Sequence, residues 1–340
     1  MRILVTGHDG YIGAVLTPML IDAGHDVVGL DTGLFSECSF AGGPGKVESL
    51  QMDIRDVGAE HLVGFEAVIH LAALSNDPVG DLNPDATFGI NHRATITLAN
   101  CAKAAGVERF LFSSSCSLYG AQGDGFIDEA AAFNPLTPYG ESKILSEQEL
   151  FPLADDGFSP VSLRNATAYG VSPRLRGDVV VNNLTGFAFA TSHVFLKSDG
   201  SSWRPLVHVE DISRAFIAIA EAERSLVHAE AFNIGATEEN YRISDVARLV
   251  AEVVPGSDVT MSDEAVNDPR SYRVTCAKFE SAFPDATPRW TVRKGIEELY
   301  EAFQQHGLTI DDLEGDRFMR IKHIKQLAAD GRIDADLRWI

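Results

Sequence analysis

Short apolar runs at 3–5, 27–30, 67–71, 110–112 and 161–163 read as buried strands, and the stretches near 11–23, 85–105 and 139–151 between them have the spacing of amphipathic helices. Strand–helix alternation of this kind predicts an α/β fold with a doubly wound parallel sheet, whose ligand sites lie at the carboxyl ends of the strands. After Arg164 the pattern loosens and Pro, Gly and charged residues become more frequent. Helices are expected near 179–190, 243–253 and 291–305. The stretch 206–233, an apolar run, a helix and a second apolar run, is expected to return to the first sheet. Acidic 311–316 followed by 317–325 reads as a polar turn entering a last amphipathic helix, and the chain after about 306 carries no chemical signal. The organisation expected is a first domain over 1–165 with 206–235 returning to it, and a smaller mixed α/β region from 166–205 and 236–340.

With 340 residues, 45% of them hydrophobic, the chain can bury a substantial core. Its formal charge of −21 would repel nucleic acid and anionic membrane, so neither is an expected partner. An anionic substrate would need locally placed basic groups. Cys38, Cys101, Cys116 and Cys276 are isolated, with no C-x-x-C spacing, which suits reduced thiols in a cytoplasm. Met1-Arg2 runs straight into the first strand and no run approaches eighteen apolar residues, so a soluble, untargeted protein is expected. The ten histidines show no metal-ligand spacing, no metal is expected, and His208, in an apolar strand, is assigned to structure.

Gly7-His8-Asp9-Gly10-Tyr11-Ile12-Gly13 follows a strand and opens a helix. In that setting glycines allow a tight turn and a close approach of backbone to a pyrophosphate, which then sits on the free N–H groups of the helix start. Asp31 ends the next strand, eighteen residues beyond Gly13, where a carboxylate can accept both adenosine ribose hydroxyls. It would repel a 2′-phosphate, and Thr32-Gly33 follow rather than an Arg, so NAD is expected over NADP. The competing reading of Asp31 is an ordinary loop-start residue.

Tyr139 and Lys143 lie four apart at the start of a helical segment, on one face. A phenol, with a pKa near ~10 in water, is a poor base at neutral pH, but an adjacent ammonium and a cationic nicotinamide favour its phenolate. Tyr139 would then remove a proton from a sugar hydroxyl as hydride leaves the same carbon. The pair follows a hydroxyl-rich strand end, Ser113-Ser114-Ser115-Cys116-Ser117, where one serine can hydrogen-bond the reacting oxygen. Serines that only form the turn and its cap are the alternative. Cys116 has no partnered base and is expected to be a buried small residue rather than a nucleophile.

Together with Asp53-Ile54, His70-Leu71-Ala72-Ala73, Asn91 and the Ser-x-x-x-Tyr-Gly run, these motifs resemble the extended short-chain dehydrogenases, specifically the nucleotide-sugar epimerases and dehydratases, over about residues 1–300. The resemblance implies a doubly wound Rossmann sheet that binds NAD, beside a smaller mixed α/β region that binds the nucleotide sugar. It implies that Gly7, Gly10, Tyr11, Ile12 and Gly13 form the cofactor turn, that Asp53 and Ile54 flank the adenine, and that Leu71, Ala72 and Ala73 line the cofactor with Asn91 in support. Ser115 would be the catalytic hydroxyl, Tyr139 the base, and Lys143 the residue that tunes it and holds the nicotinamide ribose. Helices near 92–105 and 143–151 resemble the pair that forms a four-helix dimer interface in the family, which implies a homodimer.

The family's 4,6-dehydratases carry an Asp-Glu pair after the catalytic hydroxyl, where this chain has Cys116-Ser117, so the resemblance is to 4-epimerases. It implies oxidation at C4, rotation of the 4-ketosugar and return of hydride to the opposite face. Asn183 and Leu184 match the segment that holds nucleotide and diphosphate, Arg204 and Arg270 match the diphosphate arginines, and Ser75 and Ser117 join Ser115 on the substrate. Forked guanidinium donors suit phosphate oxygens. Thr167 stands where hexose 4-epimerases carry Asn and UDP-glucuronate 4-epimerases carry Thr, and Arg174 matches the Arg that follows in the latter. The pair would suit a sugar carboxylate, which points to UDP-glucuronate or UDP-galacturonate, otherwise a UDP-hexose. The competing view gives Thr167 to another subgroup and leaves Arg174 or Arg176 on solvent or phosphate. A 4-ketosugar reductase, a UDP-uronate decarboxylase and a non-catalytic NAD-sensing protein remain as rival functions.

Overall fold

In the computed structural model, which describes residues 1–75, 83–266 and 268–340, all five apolar runs are strands of one sheet. In chain order the strands are β1 (Arg2–Thr6), β2 (Asp26–Asp31), β3 (Ser49–Gln51), β4 (Ala67–His70), β5 (Arg109–Ser115), β6 (Ala121–Ile127) and β7 (Ser159–Asn165). They continue with β8 (Thr167–Tyr169), β9 (His193–Ser198), β10 (Trp203–His208), β11 (Ala231–Ile234), β12 (Asn240–Arg242), β13 (Asp258–Val266) and β14 (Ser271–Val274). The large sheet has seven strands in the order β11-β7-β5-β4-β1-β2-β3, all parallel.

Both faces of this sheet are covered, which is why its strands read as unbroken apolar runs. Alternate residues feed two cores: Ile3, Val5, Ile69, Leu111 and Val161 pack on one side, and Leu4, Val28, Leu30, Val68 and Phe110 on the other. Each such side chain, fully buried, contributes roughly 1.5–3 kcal/mol. Helices Gly13–Asp22 and Val209–Glu221 cover the first face; Ala94–Ala104 and Pro138–Leu150 cover the second.

One expectation is refined, one is corrected and one strand is new. The segment 85–105 is helical throughout, with Pro84–Phe88 and Ala94–Ala104 joined by a wider, π-helical turn over Gly89–Arg93 that buries Asn91. The stretch 206–233 does not return whole to the first sheet: β11 pairs with β7, whereas β10 pairs with β8 and β12 in a separate three-stranded sheet. Strand β3 was not expected, because three residues are too few to show a period.

A third core, around Leu184, Leu206, Val246, Ile296 and Phe303, sits under the small sheet and helices Val180–Thr191, Ile243–Val253 and Val292–His306. The end of the chain then turns back onto the first domain. Helix Arg320–Ala329 and the residues beyond it pack Ile324, Leu327 and Ile333 on Leu34 and Leu74. Trp339 Nε1 donates to the Thr32 carbonyl at 2.8 Å, and Arg338 meets Asp56 at 2.7 Å. No helix of the described residues is long and apolar enough to cross a membrane.

Candidate active site

The carboxyl ends of β1, β2, β4, β5 and β7 open into a cleft of about 650 Å³, closed on the far side by β8, β10 and the end of the chain. Gly7, which leaves β1 with φ +73°, lies so close to the start of the next loop that a Cβ there would come 2.7 Å from Ala72 N. A Cβ on Gly13 would stand 2.3 Å from the Gly7 carbonyl. The turn is thus packed backbone on backbone, leaving the N–H groups at the start of the following helix facing the cleft. Asp31 lies at the mouth of β2. Burial pushes its carboxyl up, although the Gly33 and Asp9 N–H groups donate to it at 2.9 and 3.3 Å. A buried carboxylate short of donors fits a ribose, whose two hydroxyls would supply them. Asp53, which burial alone would raise, is held below the usual carboxylate range by Arg55, whose guanidinium lies 2.5 Å away.

Asp53 and Ile54 line the same end of the cleft, and Leu71, Ala72 and Ala73 line its floor. Asn91 does not reach the cleft. Its Oδ1 accepts from Leu74 N at 2.8 Å and its Nδ2 donates to Leu74 O at 3.0 Å, fixing the loop after β4 from behind.

Helix Pro138–Leu150 starts with Pro138, and Thr137 caps it by accepting from Gly140 N at 3.2 Å. Its first turn points Tyr139 into the cleft, and Lys143 follows one turn later on the same side. The Lys143 ammonium donates to the Ser113 carbonyl at 2.7 Å and lies 4.6 Å from the Phe112 ring centre and 5.7 Å from that of Tyr139. Burial lowers its pKa to about 7, against the pull of Glu147. Glu147 cannot fully neutralise it, because that carboxylate is held by Arg164 at 2.6 Å. Ser115 donates to Ser117 Oγ at 3.0 Å and accepts from Ser117 N at 3.1 Å. Cys116, buried beneath them, has its thiol pushed far up by burial, as expected for an inert side chain. Tyr11 and Tyr119 are also raised by burial, and their hydroxyls donate to Gly170 O and Asn233 Oδ1, so neither rivals Tyr139 as a base.

The opposite wall is cationic. Arg204 reaches Asp268 at 2.6 Å and Arg270 reaches the same carboxylate at 2.9 Å; both line the cleft, as do Asn183, Thr167, Ser75, Ser115 and Ser117. Asp268, which burial would raise, is held low by Arg270 and Arg204. Leu184, one residue after Asn183, faces the third core instead. Arg174 is a correction. Its Nε and Nη2 donate to Oδ1 and Oδ2 of Asp9 at 3.0 and 2.8 Å, and it lies behind the glycine turn, outside the residues that line the cleft. The arginine facing the cleft is Arg176, whose Nη1 reaches Ser75 Oγ at 3.2 Å and whose Nε pairs with Asp178 at 2.8 Å.

The model of the NAD dependent epimerase/dehydratase family matches residues 3–235. The chain belongs to this family. NAD is therefore its cofactor, and the glycine turn and under-donated Asp31 fit that group. UDP-glucose 4-epimerase of Corynebacterium glutamicum is 29% identical over 268 residues, which cover 74% of this chain and 80% of that protein. UDP-glucose 4-epimerase of Mus musculus is 30% identical over 267 residues, covering 69% and 77%. The structure of MoeE5 in complex with UDP-glucuronic acid and NAD aligns with a TM-score of 0.78 and 27% identity, covering 90% of this chain and 99% of that one.

Several cleft residues of this family member escaped the sequence reading. Asn165 ends β7 and leaves Oδ1 buried without a partner among the described residues; its place at a strand end was the available signal. Asp268 and Asp178 gave none, since a loop carboxylate acquires meaning only beside the arginine it meets. Met319, Arg320, Ile321 and Leu337, from the last part of the chain, also line the cleft.

Proposed function

We propose that the chain is an NAD-dependent 4-epimerase of a UDP-linked sugar, with UDP-glucuronate and UDP-galacturonate as the preferred pair. The observation that carries the reading is the face shared by Tyr139, Lys143 and Ser115 at the middle of the cleft, with Cys116-Ser117 after Ser115 where water elimination would need carboxyl groups. Bound NAD supplies the acceptor and later donor of hydride at the sugar C4. Tyr139 Oη, as phenolate, takes the proton of the C4 hydroxyl while that C–H bond breaks, giving a 4-ketosugar. The Lys143 ammonium favours the phenolate, and the Ser115 hydroxyl donates to the reacting oxygen. When the ketosugar has turned its other face, Tyr139 returns the proton and the inverted alcohol forms. Arg204, Arg270 and Asn183 hold the diphosphate and nucleotide throughout.

A uronate is supported by Arg176 and Ser75 lying with Thr167 on the cleft wall, and by MoeE5, a relative whose structures hold UDP-glucuronic acid or UDP-glucose. Four free cysteines fit a reducing cytoplasm, and helices Ala94–Ala104 and Pro138–Leu150 are the proposed faces of a homodimer. The test is incubation of the protein with UDP-glucose, UDP-glucuronate and UDP-N-acetylglucosamine, followed by NMR. Inversion at C4, fastest for the uronate and without net NADH consumption, is expected. Carbon dioxide release would make the protein a decarboxylase, net NADH use would make it a reductase, and tight NAD binding with no turnover would make it a sensor. Size-exclusion chromatography at micromolar concentration tests the dimer.

A further inference from the structure

Arg320 is the first residue of helix Arg320–Ala329 and is 5% exposed, yet it forms no ion pair among the described residues: Asp178, the carboxylate that acts on it, is held by Arg176. Its Nη2 donates to the Arg174 carbonyl at 3.0 Å, the Cys38 thiol lies beside it, and its guanidinium carbon stands 4.3 Å from the centre of the Phe35 ring. Nη1 is buried with no hydrogen-bond partner among the described residues. An unpaired buried guanidinium nitrogen is costly to leave without an acceptor, and Arg320 lines the cleft, where one can arrive. The helix start adds to this: Met319 at the N-cap offers no side-chain acceptor, so the positive end of the helix faces the same space.

The neighbours of Arg320 say which anion arrives. Leu34 and Phe35 belong to the loop that leaves β2 just after Asp31, and His323, one turn along the same helix, reaches the Leu34 carbonyl at 3.0 Å. Arg174, to which Arg320 donates, is itself bound to Asp9 of the glycine turn. The substrate arginines Arg204 and Arg270 instead cluster on Asp268, on the wall formed by β10 and the chain before β14. We propose that Arg320, delivered by the end of the chain, binds the diphosphate of NAD and thereby makes this segment part of the cofactor site. The glycine turn would then hold the diphosphate from one side and Arg320 from the other. Leu337, which lines the cleft, would lie beside the adenosine, and Trp339 fixes the chain's end there by donating to the Thr32 carbonyl.

The proposal rests on the NAD site and deepens it. Its test is binding rather than turnover: full-length wild type, Arg320→Met and Arg320→Lys, with NAD, ADP-ribose, adenosine and UDP measured by calorimetry or by competition. Met keeps a long side chain on Phe35, and Lys keeps the charge without the fork. Loss of one charge-assisted contact predicts NAD and ADP-ribose binding weaker by about tenfold to a hundredfold in the Met variant, a smaller loss in the Lys variant, and unchanged adenosine and UDP affinities. Unchanged ADP-ribose affinity overturns the proposal, and so does an equal loss of adenosine, which would mean general damage to the site. A loss confined to UDP overturns it too, by giving Arg320 to the substrate. Should wild type bind no NAD, the cofactor assignment itself fails, a result distinct from all of these. If Arg320→Met does not fold, the Lys variant decides: ADP-ribose affinity equal to wild type, with adenosine also unchanged, refutes the role of the fork.

Discussion

The two walls of the cleft treat their cations in opposite ways. On the reaction wall, Lys143 is buried with a carbonyl and aromatic faces for company, and the nearest carboxylate, Glu147, is already held by Arg164. On the substrate wall, Arg204 and Arg270 share Asp268, and Arg176 keeps Asp178. The first arrangement yields a cation whose charge is easily lost, with a pKa brought down to about 7. The second yields arginines that stay charged and are neutralised until a phosphate or carboxylate competes for them. On the function proposed, one wall would move a proton and the other would exchange one anion for another.

The comparison can be broken most forcefully at Tyr139. Tyr139→Phe removes the phenolic oxygen proposed to carry the proton, so kcat should fall by about 10²–10⁴-fold with substrate affinity little changed. A loss below tenfold would move the base elsewhere. Next in size is Lys143→Met. Below about pH 7 the wild-type lysine is charged, and the variant should be slower by at least about tenfold. As pH rises through that value the wild-type lysine loses its own proton, so the gap between the two should narrow. Parallel pH–rate profiles from pH 6 to 9 would show that the charge of Lys143 is not its contribution.

On the other wall, Arg204→Gln should raise KM and the Kd for UDP by about tenfold, the weight of one charge-assisted hydrogen bond, while kcat changes little. A fall in kcat with KM constant would place Arg204 in the reaction step. The smallest effect is expected for Asp268→Asn, which keeps the hydrogen-bonding shape but removes the competing charge. UDP should bind a few-fold tighter, and weaker binding would mean that Asp268 positions the arginines rather than guarding them.

How much of this was legible follows from the range of the interactions involved. The turn at Gly7–Gly13, Asp31 at a strand end and the Tyr139–Lys143 spacing are local, fixed by a few bonds of backbone, and all of them face the cleft. The choice between Arg174 and Arg176 was not local. Two residues apart in a segment without periodicity, one turns behind the glycine turn to Asp9 and the other faces Ser75, and the partner in each case lies about a hundred residues or more away in the chain. Asn91 was placed near the cofactor, yet acts on Leu74 from the rear.

The last part of the chain shows the limit most clearly. Nothing in 306–340 has the spacing of a motif, but Arg338, Trp339 and His323 dock on Asp56, Thr32 and Leu34, nearly three hundred residues earlier. The order of amino acids by itself determined the parallel sheet, the glycine turn and the placing of Tyr139 and Lys143 on one face of the cleft, because each is encoded in a repeating period or a fixed short spacing. Only the tertiary structure decided between Arg174 and Arg176, which carboxylates restrain the cleft arginines and that the chain's end packs beside Asp31, because a charge acquires its role from the partner that folding brings to it.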